Sequence, residues 1–215
     1  MTQPPPAGDL QLPQDGHLLA ILEQSKERGF LGPGPVLFHV EHAGAFGAAL
    51  GTASRVVDLG SGGGVPGLVL ARQHPDVHFT LVDAMERRTA FLNWAVSSLE
   101  MTDQVDVVTG RAEDLARVDG LAGSFDLVVT RSFGPPAVTA ECAVGFLRPG
   151  GRIVVSEPPT DEGTRWPSSG LALLALVADE KISSGAASLQ VLRLSGHLDR
   201  RYPRRVGVPA KRPLF

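Results

Sequence analysis

The chain of 215 residues contains one cysteine, Cys142, so it can form neither an intrachain disulfide nor a cysteine metal cluster, and a reducing compartment is expected. With Ala140, Ala143 and Val144 around it, Cys142 reads as a core residue and not a nucleophile. No apolar run approaches the length of a membrane span. Met1 to Gly8 is polar and proline-rich and lacks the basic-then-apolar layout of a signal peptide, so a cytoplasmic location is expected. A nucleophile elbow is missing, as are a metal-ligand cluster and a clear acid–base pair. His39 and His42 flank Glu41, but no third ligand lies nearby, so no metal is expected and this stretch reads as a solvated or substrate-facing helix surface. Acidic groups are absent from the last sixteen residues. All 23 of them lie in residues 1–199 against 14 basic groups, whereas Arg200 to Phe215 holds six basic groups, Arg200, Arg201, Arg204, Arg205, Lys211 and Arg212. Tyr202 and three prolines interleave these cations, which suits an extended segment on nucleic-acid phosphates as well as it suits a frayed terminus.

What is present begins with a core: 43% of the residues are hydrophobic, enough for one substantial domain. Its focus is the stretch Val56 to Ala71, VVDLGSGGGVPGLVLA. An apolar run ends at Asp58 and Leu59, four glycines (Gly60, Gly62, Gly63, Gly64) follow, and a helix-like pattern starts after Pro66 and Gly67. This is a strand, a tight turn and a helix start, and glycine is needed where such a turn forces positive φ or lets a ligand approach the backbone. A phosphate loop fits poorly. Pro66 breaks the Gly-x-Gly-x-x-Gly register, and no Lys-Ser or Lys-Thr follows. Asp58 stands where a carboxylate can order the turn and meet an ammonium group. Asp83 closes the next apolar run, His78 to Val82, and a carboxylate there is placed to accept both ribose hydroxyls of an adenosine. An adenosine without phosphates but with a cationic amino-acid tail is S-adenosylmethionine.

Along the chain, residues 1–14 read as a flexible segment, residues 15–199 as one domain with N-terminal helices, and residues 200–215 as a basic tail. Asp15 can cap a helix to about Arg28, and Val36 to Leu50 has helical spacing. Strands are predicted at Arg55–Leu59, Val77–Val82, Gln104–Thr109, Phe125–Thr130 and Arg152–Ser156. Helices alternate with them at Val65–Gln73, Met85–Leu99, Ala112–Ala116 and Pro136–Phe146, and Leu147 to Gly151 reads as a turn. A helix at Pro167–Leu176 and a hairpin of Val177–Ile182 with Ser188–Leu194 follow. The pattern implies an α/β fold with a seven-stranded, mostly parallel sheet that finishes in an antiparallel terminal hairpin.

VVDLGSGGGVPGLVLA, LVDAMERRTAFLNWAV, VVTGRAEDL, FDLVVTRSF, FLRPGGRIVV and RYPRRVGVPAKRPL together resemble the bacterial glucose-inhibited division protein B family, the 16S ribosomal RNA guanine-N7 methyltransferases. The similarity covers about Val36 to Ser156 and returns at the tail. The resemblance implies a Rossmann-like class I S-adenosylmethionine-dependent methyltransferase, with S-adenosylhomocysteine as product and 16S rRNA or the small ribosomal subunit as partner. It implies that Gly60 and Val65 line the methionine and ribose end, Asp83 the ribose, Ala112 and Glu113 the adenine, and Arg131 the active-site mouth. With Asp58, Gly62 and Gly64 of the turn, the residues that the resemblance implies, Gly60, Val65, Asp83, Ala112, Glu113 and Arg131, make up the expected cofactor set, and Arg131 is the candidate catalytic group because guanidinium can orient a base or neutralise a phosphate.

Other readings stand beside these. Glu113 and Asp114 can instead cap a short helix. Arg87 and Arg88 can bind RNA phosphate but read better as a solvated helix face, and Phe133 and Trp166 read as rim aromatics that either stack on a base or pack in the core. The chain departs from the family at Val155-Ser156-Glu157-Pro158-Pro159, where relatives carry a lysine-glycine sequence, and its region before Val36 is short. Glu157 is expected to place an acid where RNA phosphate passes. A small-molecule methyltransferase of this fold and a non-catalytic RNA-binding paralogue remain alternatives, and a monomer is expected in the absence of any oligomerisation signal.

Overall fold

A computed structural model describes residues 15–158, 165–185 and 187–215, so the expected flexible segment 1–14 lies outside the described residues. Helix α1 (Gly16–Glu27) is capped by Asp15, whose carboxylate accepts from the His17 and Leu18 amides at 3.0 and 3.2 Å. Helix α2 (Val36–Gly44) stops six residues short of the expected Leu50 and tightens into a 3₁₀ turn, Ala45–Ala49. Gly44 and Gly47 sit where the α-helix would have to continue, and glycine supports it poorly.

Strand β1 (Arg55–Leu59), helix α3 (Gly67–Gln73), β2 (His78–Asp83), α4 (Glu86–Ser98), β3 (Val105–Thr109), α5 (Ala112–Leu115), β4 (Phe125–Thr130), α6 (Pro136–Val144) and β5 (Leu147–Glu157) then alternate. The expected turn Leu147 to Gly151 is the irregular start of β5: Phe125 pairs with Leu147, but Leu127 pairs with Arg152, and Gly150 (φ +79°) absorbs the extra residues. Helix α7 (Ser168–Ala172) is half the expected length because Leu176 already belongs to β6 (Leu176–Ser184), which turns into β7 (Ala187–Leu194).

The seven strands lie in the order β3-β2-β1-β4-β5-β7-β6. β1 to β5 are mutually parallel, and β7 runs antiparallel to both β5 and β6. The hairpin therefore folds back so that its second strand docks first. β6 and β7 form the expected antiparallel terminal hairpin; β7 also opposes β5, so β6 at the edge again runs in the direction of the parallel strands.

Side chains alternate between the two faces as a pleated strand requires. Val56, Leu81, Leu127 and Val154 enter the core formed with Leu18, Ile21, Phe46, Leu70 and Leu92. Val57, Val82, Val128 and Ile153 enter the opposite core with Val144, Phe146, Trp166 and Tyr202. Strands buried on both faces read as unbroken apolar runs, which is why the sequence showed them plainly. The chain order reverses between β1 and β4, so a crevice opens at their carboxyl ends.

The tail is neither extended nor frayed. Tyr202 and Pro203 are buried, helix α8 (Val208–Lys211) follows, and the Phe215 ring lies against Gly170.

Helix α3 can approach β1 and β2 only because position 67 lacks a side chain: a Cβ there would collide with Leu81 Cδ2 and lie 2.6 Å from Asp58 Oδ2. Gly67→Ala is expected to destabilise the fold by about 2 kcal/mol in urea unfolding, from overpacking a filled core.

Candidate functional site

At the end of β1 the backbone bends through Gly60 (φ +74°), Gly62 (φ +53°) and Gly64 (φ +97°). The Gly60 and Ser61 amides both donate to the Val82 carbonyl, at 2.8 and 2.9 Å, which draws the bend against the end of β2. There Asp83 completes the link. One carboxylate oxygen accepts the Gly62 amide at 3.0 Å, the other the Met85 amide at 2.9 Å, and Arg88 approaches the first at 3.3 Å. From below, fully buried Asp58 accepts the Gly67 amide at 2.9 Å and so fixes the start of α3.

Two cavities meet at Gly60. The larger, of about 290 Å³, is lined by Gly60, Asp83, Ala112 and Glu113, with Phe133, Val138, Cys142 and Ala210. Phe133 lies so close over Gly60 that a Cβ at that position would stand 2.7 Å from its ring. The smaller, of about 210 Å³, is lined by Phe30, His39, Gly60, Gly62, Gly63, Val65, Arg88 and Arg131. The structure thus brings seven of the nine expected cofactor residues to these two cavities. Asp58 and Gly64 line neither. Asp58 orders the bend from inside, and Gly64 packs against Leu68. Glu113 lines the larger cavity, but one of its carboxylate oxygens accepts the Gly207 amide at 3.0 Å and the other lies 3.8 Å from Arg111.

Arg131 is half-buried and donates to His39 Nδ1 at 2.6 Å. Guanidinium has no acceptor, so Nδ1 carries no proton, and the Nε2 proton goes to the Gly32 carbonyl, 3.1 Å away. Burial and the Arg131 charge hold His39 below the usual histidine range, in keeping with this neutral form. His42 is pushed down to about 4 by burial, then by Arg131 and His39. Neither histidine reads as solvated, and among the described residues no group of three His, Cys, Asp or Glu is arranged to hold a metal ion.

Three buried polar atoms around the bend have no hydrogen-bond partner: Asp58 Oδ1, Arg88 Nε and Arg131 Nη1. Such groups are costly unless something satisfies them. A zwitterionic amino-acid group beside a nucleoside meets this need, with a carboxylate for the two guanidiniums. The residues therefore fit S-adenosylmethionine.

Other expectations change. Arg88 is not on a solvated face but enters the smaller cavity. Its spacing from Asp83, just over one helical turn, was the available signal. Trp166 packs in the core and donates to Glu157 Oε1 at 3.1 Å, whereas Phe133 faces the cavity. Glu157 does not confront RNA: it is buried, and Arg165 lies 2.8 Å from its other oxygen. Arg204 is withdrawn from the expected phosphate-binding set, because it forks onto the fully buried carboxylate of Glu141 at 2.8 and 2.6 Å. Arg200, Arg201, Arg205, Lys211 and Arg212 stay exposed.

A family model described as "GidB: rRNA small subunit methyltransferase G" matches residues 45–162. A protein named ribosomal RNA small subunit methyltransferase G from Moorella thermoacetica is 32% identical over 169 residues, covering 75% of this chain and 70% of that protein. Its namesake from Salinispora tropica is 41% identical over 135 residues, 59% of this chain and 55% of that one. In fold the chain is similar to the O-methyltransferase TomG from Streptomyces achromogenes, solved with SAM (TM-score 0.60, 20% identity, 87% of this chain and 93% of that one). It is also similar to an O-methyltransferase from Bacillus cereus solved with SAH (TM-score 0.60, 15% identity, 86% and 94%). These likenesses show a class I methyltransferase fold.

Burial pushes Asp58 up to about 7, against the opposing Gly67 and Ser61 hydrogen bonds. A raised folded-state pKa favours folding below the unfolded value near 3.8 and loses that contribution as pH climbs to about 7. His42 acts oppositely, losing its contribution as pH falls from 6.5 to about 4. Asp58→Asn, measured by urea unfolding, should gain stability relative to the parent as pH rises from 4 to 7. A gap independent of pH would contradict this.

Proposed function

The chain belongs to the rRNA small subunit methyltransferase G (GidB) family, and we propose that it transfers a methyl group from S-adenosylmethionine to guanine N7 of 16S ribosomal RNA. Its matched stretch spans 55% of the Salinispora tropica relative, so activity and substrate are read from the site as well as from kinship. The observation that carries the reading is Asp83: a buried carboxylate, held by two backbone amides, on the wall of a cavity of nucleoside size.

When bound, S-adenosylmethionine supplies an electrophilic methyl group on a positively charged sulfur. Asp83 accepts the ribose hydroxyls, and Gly60 lets the nucleoside lie against bare backbone with Phe133 beside it. The Ala112 amide and the Glu113 side of the cavity meet adenine. Arg131 and Arg88 take the amino-acid carboxylate on their unpartnered nitrogens, which sets the position of the group to be transferred. Guanine N7 carries an in-plane lone pair and needs no general base, so the chain's task is alignment and exclusion of water. His39 holds Arg131 on the wall of the smaller cavity. No strongly placed acid–base pair is required of this site.

RNA is gripped outside the cavities. The exposed cations Arg200, Arg201, Arg205, Lys211 and Arg212 of the tail contact phosphates. Beside the smaller cavity, Arg87 lies over Phe30, and Arg28 over Phe91 and Trp94, at 5.1–5.9 Å, which presents guanidiniums next to an exposed indole. The enzyme acts as a monomer, as one domain over residues 15–199 with the tail packed onto it. No described helix is long and apolar enough to cross a membrane, and the ribosomal substrate places the reaction in the cytoplasm.

Purified protein should label 16S rRNA or 30S subunits with radioactive methyl groups, and mass spectrometry should place the mark on a guanine N7. Asp83→Ala should lower affinity for the methyl donor by ~100-fold, as expected for losing a buried charge-assisted acceptor. Arg131→Ala should cut the methylation rate by at least ~100-fold through lost positioning. Labelling of small phenols or amines with none of RNA would contradict the substrate, and full activity in Asp83→Ala would contradict the site.

A further inference from the structure

From sequence the tail suited an extended phosphate-contacting segment as well as a frayed terminus, yet its tightest interactions face inward. Arg204 gives Glu141 three hydrogen bonds, from its own amide at 2.8 Å, from Nε at 2.8 Å and from Nη2 at 2.6 Å, and Nη2 also reaches the Arg212 carbonyl at 2.8 Å. Glu141 is fully buried on α6, the helix that presents Val138 and Cys142 to the larger cavity. Three residues on, the Gly207 amide donates to Glu113 Oε1 at 3.0 Å. Arg117 adds hydrogen bonds to the Arg201 and Pro203 carbonyls. The outcome of this pinning is geometric: α8 is laid along the cavity rim, and Ala210 becomes part of the cavity lining.

A buried carboxylate met by a forked guanidinium fixes direction as well as contact, which a lysine cannot do. Removing the tail would strip buried Glu141 of Arg204 and take the Gly207 amide from Glu113 on the cavity wall. The cavity would then open to water where Ala210 lines it.

We propose that the C-terminal segment Tyr202–Arg212 is a wall of the methyl-donor site, and that Glu113 is a positioning residue that holds this wall through Gly207 and does not itself read adenine. The inference rests on assigning the larger cavity to the nucleoside. Its consequence is that the tail is required before RNA is ever met: losing it costs cofactor affinity, not only RNA affinity.

The test is calorimetric titration of S-adenosylhomocysteine, without RNA, into the full chain, a chain ending at Asp199, Arg204→Lys and Glu113→Ala, each checked for folding by circular dichroism. Affinity should fall by at least ~10-fold in the shortened chain and by at least ~3-fold in Arg204→Lys, which keeps the charge but not the fork. Smaller losses in a folded shortened chain and in Arg204→Lys would overturn the proposal. If the shortened chain does not fold, Arg204→Lys alone decides. Glu113→Ala should weaken binding in the full chain and add nothing in the shortened one, or, where that chain does not fold, nothing in the Arg204→Lys background. A further loss there would make Glu113 a direct adenine contact and overturn its positioning role. No binding by the unaltered full chain would overturn the assignment of the cavity and this inference together.

Discussion

The site depends on one carboxylate doing two things. Asp83 accepts the Gly62 amide from the bend and the Met85 amide from the approach to α4, so it joins the ends of β1 and β2 while it borders the larger cavity. A group that merely faced a ligand would be free to turn away; this one is held in place by the backbone it organises. The bend in turn requires positive φ at Gly60, and the bare backbone there admits Phe133. Side chains on this bend would cost both the conformation and the contact.

Around that knot the charges are arranged so that none faces water alone. Arg131 lies against neutral His39, Arg88 leans on Asp83, and Asp58 sits beneath with burial favouring its protonated form. Asp58 Oδ1, Arg88 Nε and Arg131 Nη1 are left without a hydrogen-bond partner around the bend, where an amino-acid group would satisfy them. Two buried carboxylates away from the bend are closed off by partners, Glu157 by Trp166 and Arg165, Glu141 by Arg204.

Much of this was legible in the sequence. Strands such as Phe125–Thr130 are buried on both faces and announce themselves as apolar runs, and the glycines of the bend are demanded by backbone geometry alone. Asp83 followed from its place at a strand end. What stayed hidden was long-range pairing. Nothing near Glu113 says that it will meet Gly207, or near Glu141 that it will bury Arg204, because those partners lie 94 and 63 positions away. The tail therefore looked like a free cationic arm, and Glu157 like an exposed acid. The insertion of β7 between β5 and β6 was hidden for the same reason, since a hairpin's pattern is silent about which strand docks.

The central claim is that the bend and Asp83 hold a sulfonium nucleoside. A crystal structure with S-adenosylhomocysteine tests it most directly. The account predicts the ribose hydroxyls within about 3 Å of the Asp83 carboxylate, as hydrogen bonding requires, and the amino-acid carboxylate on Arg131 or Arg88. A nucleoside bound away from Asp83, or a cavity that stays empty at saturating ligand, would contradict it.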